Sequence, residues 1–207
     1  MQAPARFITL EGGEGAGKST QATRLAAHLT ARGLPVLLTR EPGGTPAAEA
    51  VRNVLVSGGS LDPVAEAMLL FAARRDHVTR TIRPALAAAM WVVCDRFADS
   101  TRAYQCHGQG VPGAVWSRLA DLALEGLRPD LTLVLDVAPE IGMARAAARG
   151  SLDRYERLDA GFHARVRAGF LAIAAAEPGR CAVLDASQTA DDLALDIAQA
   201  VDRRLPA

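Results

Sequence analysis

Five short apolar runs punctuate the chain: Phe7-Ile8-Thr9-Leu10, Val36-Leu37-Leu38, Trp91-Val92-Val93-Cys94, Leu131-Thr132-Leu133-Val134-Leu135 and Cys181-Ala182-Val183-Leu184. None alternates polar with apolar, the pattern expected of strands buried on both faces of a parallel sheet. Helical spacing fills the intervals. Ala22, Leu25, Ala26 and Leu29 fall at i, i+3, i+4 and i+7 ahead of Gly33, which predicts an amphipathic helix with a glycine stop. Asp62-Pro63 predicts the start of another long helix, and Pro84 its end or restart before the third strand. Pro139-Glu140 opens a further helix that Gly150 closes, and Phe162, Val166, Phe170 and Ile173 mark the next. Thr189 followed by Asp192 resembles a capping box with Asp in place of the usual Glu, ahead of Ala194, Ile197, Ala198 and Val201. Strands alternating with helices predict an α/β doubly wound fold on a five-stranded parallel sheet.

Composition narrows this picture. With 207 residues, half of them hydrophobic, the chain suits one domain over 1–207 with a short lid inside it. Its 23 basic residues balance 23 acidic ones, so no bulk charge favours nucleic acid or an anionic membrane, and neither is an expected partner. Cys94, Cys106 and Cys181 are isolated, without C-x-x-C spacing, as expected of reduced thiols in a cytoplasmic protein. No apolar run approaches the ~18 residues of a membrane span, and Met1 to Arg6 leads straight into the first strand.

The clearest chemistry follows that strand: Gly12-Gly13-Glu14-Gly15-Ala16-Gly17-Lys18-Ser19-Thr20. It fits G-x-x-x-x-G-K-[ST] between a buried strand and an amphipathic helix, the context this phosphate-binding motif requires. Glycines let successive backbone N–H groups turn inward around phosphate oxygens, and the helix N-terminus adds partial positive charge. Lys18, the one lysine of the chain, is then expected at the β- and γ-phosphates, with Ser19 on Mg²⁺. Such a loop indicates a nucleotide without fixing the reaction. A guanine-specific GTPase normally carries N-K-x-D, and no lysine follows Lys18, which excludes that class. Ser57-Gly58-Gly59-Ser60 reads as a turn joining two helices rather than a transporter ATPase signature.

The third strand runs into Asp95-Arg96-Phe97, and strand C-termini in this fold face the ligand crevice. Asp95 is a candidate catalytic carboxylate and metal ligand, or else a helix cap. Arg96 is suited to clamping an acceptor phosphate bidentately, or to a salt bridge with a neighbouring acid.

Taken in order, several segments span nearly the whole chain. They are Gly12 to Thr20, Thr39-Arg40-Glu41-Pro42-Gly43-Gly44-Thr45, Leu70-Phe71-x-x-x-Arg75, Asp95-Arg96-Phe97, Ser100-Thr101-x-x-Tyr104-Gln105, Arg128-Pro129-Asp130-Leu131 and Leu135-Asp136-Val137. Together they resemble the bacterial thymidylate kinases. The resemblance implies transfer of the ATP γ-phosphoryl group to dTMP, giving dTDP and ADP for dTTP synthesis, with Mg²⁺ and as a homodimer. It implies that Phe71 stacks on thymine while Arg75 donates to its O4, with Thr101 and Gln105 near the base. Phe71 and Arg75 are i and i+4 on one helix and so face the same way, although periodicity alone reads Phe71 as core. Tyr104 is expected against the sugar, where it disfavours a 2′-hydroxyl. Glu14 is expected near the 3′-hydroxyl or acceptor phosphate, Arg40 and Ser100 on the dTMP side, and Pro42 in the base-pocket wall. The same resemblance makes 150–156 a lid from which Arg154 supplies transition-state charge, with Arg149 against adenine or phosphates. By residue chemistry alone, Arg145 and Arg149 form a solvated helix face equally well. Asp185-Ala186-Ser187 is expected near adenine or as the cap of the last helix.

Two departures stand out. Cys106-His107-Gly108-Gln109-Gly110 lacks the arginine usual in the family, so no basic contact comes from Gln109, and His107 is expected to be exposed. Arg74, larger than the usual residue, is expected to point outward. The alternatives are a kinase for another nucleoside monophosphate and a non-catalytic nucleotide-binding module. Asp95, Arg96 and Arg154 argue against the latter, because a binder needs no acceptor or lid charges.

Overall fold

A computed structural model describes residues 4–150 and 153–206. The expected lid at 150–156 therefore falls partly outside the described residues, at 151–152.

Strands β1 (Phe7–Glu11), β2 (Val36–Arg40), β3 (Trp91–Asp95), β4 (Leu131–Asp136) and β5 (Cys181–Asp185) form one sheet in the order β2-β3-β1-β4-β5. Every neighbouring pair is parallel, with Leu10 opposite Asp95 on one side and Leu133 on the other. The five expected strands are all present. In β1, β3 and β4 nearly every residue is buried, as uninterrupted apolar runs require. The edge strands β2 and β5 differ: they are only partly covered, and Val183 is 48% exposed.

The helices follow the cap chemistry. They are α1 (Lys18–Ala31), α2 (Pro46–Ser57), α3 (Pro63–His77), α4 (Arg83–Ala87), α5 (Ala98–Thr101), α6 (Gly113–Leu124), α7 (Pro139–Ala147), α8 (Ala160–Ala176) and α9 (Ala190–Arg204). Asp62 accepts from the N–H groups of Val64 and Ala65 at 2.9 and 3.1 Å, and Thr45 from that of Ala48 at 3.1 Å, each before a proline in the first turn. At α9, Thr189 accepts from Asp192 N–H at 3.2 Å and donates its hydroxyl to the Asp192 carboxylate at 2.6 Å. The short Asp side chain thus closes on the hydroxyl. Pro84, expected to end or restart the helix, does neither: the helical backbone runs on through it to Ala87. A π-helical stretch over Val78–Ile82 joins α3 to α4 without a break in helical backbone angles, and Pro84 lies where the hydrogen-bonding pattern changes from π to α. A second π-helical stretch, Arg102–Gly108, follows α5.

Alternate strand residues feed opposite layers. Ile8, Leu10, Val93 and Leu133 pack with Leu25 and Leu29 of α1 and with Ile197 and Val201 of α9. Phe7, Val92 and Cys94 face Phe71, Phe97 and Leu124. Phe162, Val166, Phe170 and Ile173 of α8 cover Tyr104 and Val134. The sheet is thereby sealed on both sides, and its strand C-termini are left to line the site.

Candidate active site

A cavity of about 290 Å³ lies at the C-terminal ends of β1, β2 and β3, bordered by the loop from β1 into α1. That loop is the sequence 12–20. At two positions its backbone cannot accept a side chain: a Cβ on Gly12 would lie 2.4 Å from the Leu135 carbonyl oxygen, and one on Gly15 1.9 Å from that of Gly142 in α7. Both have positive φ, at 140° and 65°. Lys18 is buried and donates to the Gly13 carbonyl at 2.6 Å, which curls the loop around its ammonium. Burial and the nearby Arg96 lower the Lys18 pKa to about 8, against the pull of Glu14, Asp95 and Glu11. Glu14, Gly15, Gly17, Lys18, Ser19 and Thr20 border the cavity, whereas Gly12, Gly13 and Ala16 support the loop from behind.

Next to Lys18, Ser19 donates its hydroxyl to one oxygen of Asp95 at the end of β3, whose other carboxylate oxygen is buried without a partner. A hydroxyl and a carboxylate are hard oxygen donors and suit Mg²⁺, which binds few protein ligands and keeps waters and phosphate oxygens. Among the described residues no cluster of three or more His, Cys, Asp or Glu offers a self-contained metal cage.

Arg96 is the hub of the site. Its guanidinium donates to the Gly12 carbonyl and Ser100 hydroxyl at 3.1 Å each, and to Glu14 and the Tyr104 hydroxyl at 3.0 Å each. Tyr104 in turn donates to Glu14 at 2.6 Å. Burial would raise the Glu14 pKa, but Arg96, Lys18 and the Tyr104 hydroxyl outweigh it and hold the carboxyl at about 2. Burial likewise disfavours charge on Arg96, yet Tyr104, Glu14, Asp95 and Glu11 push its pKa above the ordinary value. Arg96 has a φ of 69°, an uncommon backbone state for a side-chain-bearing residue. Buried Glu11 stabilises that turn by accepting from the N–H groups of Phe97 and Ser100 at 2.8 and 3.3 Å and from the Ser100 hydroxyl at 2.6 Å. Burial and the neighbouring Asp99 raise the Glu11 pKa to about 8. A lone acid closing a strand carries no motif, so nothing in the sequence marks Glu11.

Arg40, Pro42, Thr101 and Gln105 also border the cavity, with Arg40 paired to Glu49 at 3.1 Å. On helix α3 the expected base-reading pair, Phe71 and Arg75, does not border the cavity. Phe71 is 2% exposed, packed edge-on against Trp116 in the core rather than on the cavity wall. Arg75 points away and pairs with Glu125 at 2.8 Å. The cavity is bordered instead by Leu70 and Arg74, which are also i and i+4. Arg74, expected to point outward, is 3% exposed. It donates to Glu41 at 2.6 Å, to Thr101 at 3.1 Å and to the Phe97 carbonyl at 3.0 Å, with its guanidinium 4.7 Å from the Phe71 ring centroid. One residue turns a side chain by about 100° around a helix, enough to exchange inside for outside. Helical spacing marks the same position, since extending Ala67 and Leu70 reaches 74, not 75.

The 150–156 segment is divided in its contacts. Arg149 borders the cavity and pairs with Glu156 at 2.8 Å. Arg154 does not border it; its guanidinium is paired with buried Glu66 of α3 and lies 4.7 Å from the Tyr155 ring centroid. Arg145 donates to the Ala186 and Ser187 carbonyls at 2.6 and 3.0 Å, tying down the loop before α9. Gln109 supplies no charge but donates to Glu66 at 3.2 Å, and His107 is exposed. The arrangement brings phosphate-binding N–H groups, an ammonium, a cation-ready oxygen pair and a fixed guanidinium onto one cavity, which suits phosphoryl transfer between two anions.

Comparison with known proteins gives the same direction. A family model described as thymidylate kinase matches residues 10–197. A thymidylate kinase of Caulobacter vibrioides is 52% identical over 201 residues, covering 96% of this chain and 97% of the relative. One of Methylococcus capsulatus is 50% identical over 202 residues, covering 98% and 97%. The crystal structure of thymidylate kinase from Ehrlichia chaffeensis superimposes with a TM-score of 0.79 at 36% identity, covering 95% of this chain and 98% of that one.

Proposed function

The chain belongs to the thymidylate kinase family and phosphorylates dTMP to dTDP with ATP, and from that premise we propose how its residues divide the work. The observation that carries the reading is the Arg96–Glu14–Tyr104 cluster set directly against the phosphate loop. It can hold a second phosphate and its sugar beside the first nucleotide.

The loop N–H groups and Lys18 bind the donor phosphates. Arg96, aided by Ser100 and Arg40, takes the acceptor phosphate. Glu14 meets the deoxyribose 3′-hydroxyl, and Tyr104 fills the space of a 2′-hydroxyl. Pro42, Thr101 and Gln105 enclose the base, and Arg74 replaces Arg75 as the donor to a base carbonyl, with Leu70 in contact and Phe71 behind it. Arg149 lies on the donor side, and Arg154 brings charge to the transferring group. Ser19 and Asp95 would hold Mg²⁺, which when bound neutralises phosphate charge and orients the donor. The acceptor oxygen is already anionic, so no strong general base is needed. Positioning and charge neutralisation by Lys18, Arg96 and Arg154 account for the rate.

We further infer one catalytic unit over 1–207 acting as a cytoplasmic homodimer. Three free cysteines, and no helix among the described residues long and apolar enough to cross a membrane, support the compartment. ADP release measured with ATP, Mg²⁺ and a panel of nucleoside monophosphates tests the assignment. Preference for dTMP is expected. Equal use of dUMP, dCMP and dTMP would remove the thymine pocket, and full turnover without any acceptor would remove the kinase reading.

A further inference from the structure

Behind the cavity wall a single carboxylate joins three separate parts of the chain. Glu66 of α3 is fully buried. It accepts from Gln105 at 2.7 Å, from Gln109 at 3.2 Å and from the Tyr155 hydroxyl at 2.8 Å, and it forms an ion pair with Arg154. Gln105 and Tyr155 border the cavity, whereas Arg154 does not. The two glutamines and the tyrosine are neutral donors, so among the described residues Arg154 is the cation that compensates the Glu66 charge. Removing the ionic partner of a buried carboxylate is strongly unfavourable, and a competing anion must therefore outbid Glu66 before Arg154 can move. The Gln105 side chain has its amide nitrogen on Glu66 and its carbonyl oxygen buried without a partner. A group bound against Gln105 is thus felt by the carboxylate that holds Arg154.

We propose that Glu66 is a positioning residue that withholds Arg154 from the donor phosphates until an acceptor occupies the cavity, and so suppresses wasteful hydrolysis of ATP. This rests on the role given above to Arg154. In the suppressed reaction water attacks the γ-phosphorus, the bond to the β,γ-bridging oxygen breaks, ADP leaves with the electron pair, and a proton passes to solvent. Glu66→Gln keeps the shape and an acceptor oxygen but removes the charge that retains Arg154.

The test measures phosphate release from ATP and Mg²⁺ without dTMP. Glu66→Gln is expected to raise it on the order of tenfold, and the double variant Glu66→Gln/Arg154→Ala to return it to the wild-type level or below. Tyr155→Phe, which deletes one hydroxyl donor and no charge, is the milder variant should Glu66→Gln fold poorly, and it is expected to raise release by roughly two- to threefold. Cleavage by trypsin after Arg154 in the ligand-free enzyme gives a second readout, faster in both single variants. Unchanged hydrolysis in the folded variants, or a rise that persists without Arg154, overturns the proposal. Arg154→Ala alone separates the two readings. If it leaves dTMP phosphorylation unchanged, the role of Arg154 fails. If it lowers that rate while Glu66→Gln leaves acceptor-free hydrolysis unchanged, only the role of Glu66 fails.

Discussion

Replacing Arg74 and Arg75 separately by alanine distinguishes a buried pocket arginine from its exposed neighbour. Arg74 pairs with Glu41, and the two side chains are 3% and 2% exposed. Its loss also removes donors from Thr101 and the Phe97 carbonyl, leaving His77 as the remaining partner of the Glu41 carboxylate among those described. Breaking a buried pair from one side costs about 3–5 kcal/mol. At about 2–4 °C per kcal/mol for a chain of this size, Arg74→Ala should lower the melting temperature by roughly 6–20 °C. Arg75 and Glu125 are 41% and 56% exposed. A pair so solvated is screened by water, so Arg75→Ala should shift the midpoint far less than Arg74→Ala. Activity should divide the same way. Arg74→Ala is expected to lower kcat/KM for dTMP by at least ~10-fold, the scale of a lost hydrogen bond to a charged group, while Arg75→Ala stays near wild type. Melting followed by circular dichroism and dTMP titrations at saturating ATP provide the assay. Equal effects of the two variants, or a larger one at Arg75, would refute the assignment of position 74 to the pocket.

Other expectations follow from the same geometry. Lys18→Ala and Arg96→Ala should each lower turnover by at least ~100-fold in steady-state assays, the scale of removing a positioned charge-stabilising donor; near-normal rates would show that neither touches the transferring group. Asp95→Asn should raise the Mg²⁺ concentration needed for half-maximal rate, since it removes the carboxylate charge beside Ser19; an unchanged Mg²⁺ titration would take the cation away from this pair. Glu14 is depressed from 4.5 to about 2 in the folded protein, so its contribution to stability is present above pH 4.5 and lost as pH falls toward 2. Acid unfolding of Glu14→Gln should therefore be less steep in that window, and an identical acid limb would contradict the depressed carboxyl.

The central strands were legible because burial on both faces leaves no room for polar alternation, as in β1 and β4. Edge position was not, since β2 and β5 carry similar apolar letters and differ only in what covers them. The phosphate loop was readable because backbone geometry demands glycine at fixed spacing. Helix phase on α3 was not resolved: two adjacent arginines satisfy the same i, i+4 pattern from neighbouring starting points, and only packing chooses between them. The π-helical stretches that carry Val78–Ile82 and Tyr104 have no compositional signature. Glu11 and Glu66 were invisible for a different reason. Their partners lie 86–89 and 39–89 positions away, and a solitary glutamate gives no hint of what will be folded against it.

The contact between the phosphate loop and α7 bears on which sequences this fold tolerates. Gly15 and Gly142 approach so closely that a methyl on Gly142 would stand 2.2 Å from the Glu14 carbonyl oxygen, just as one on Gly15 would strike the Gly142 carbonyl. Position 142 belongs to no phosphate-binding pattern and sits mid-helix, where glycine is the poorer choice by about 1 kcal/mol against alanine. A mutational library screened for activity would thus find two forbidden sites, one inside the motif and one some 130 residues beyond it on α7, governed by a single clearance. Thermostabilising schemes that trade helical glycines for alanine would fail here for the same reason.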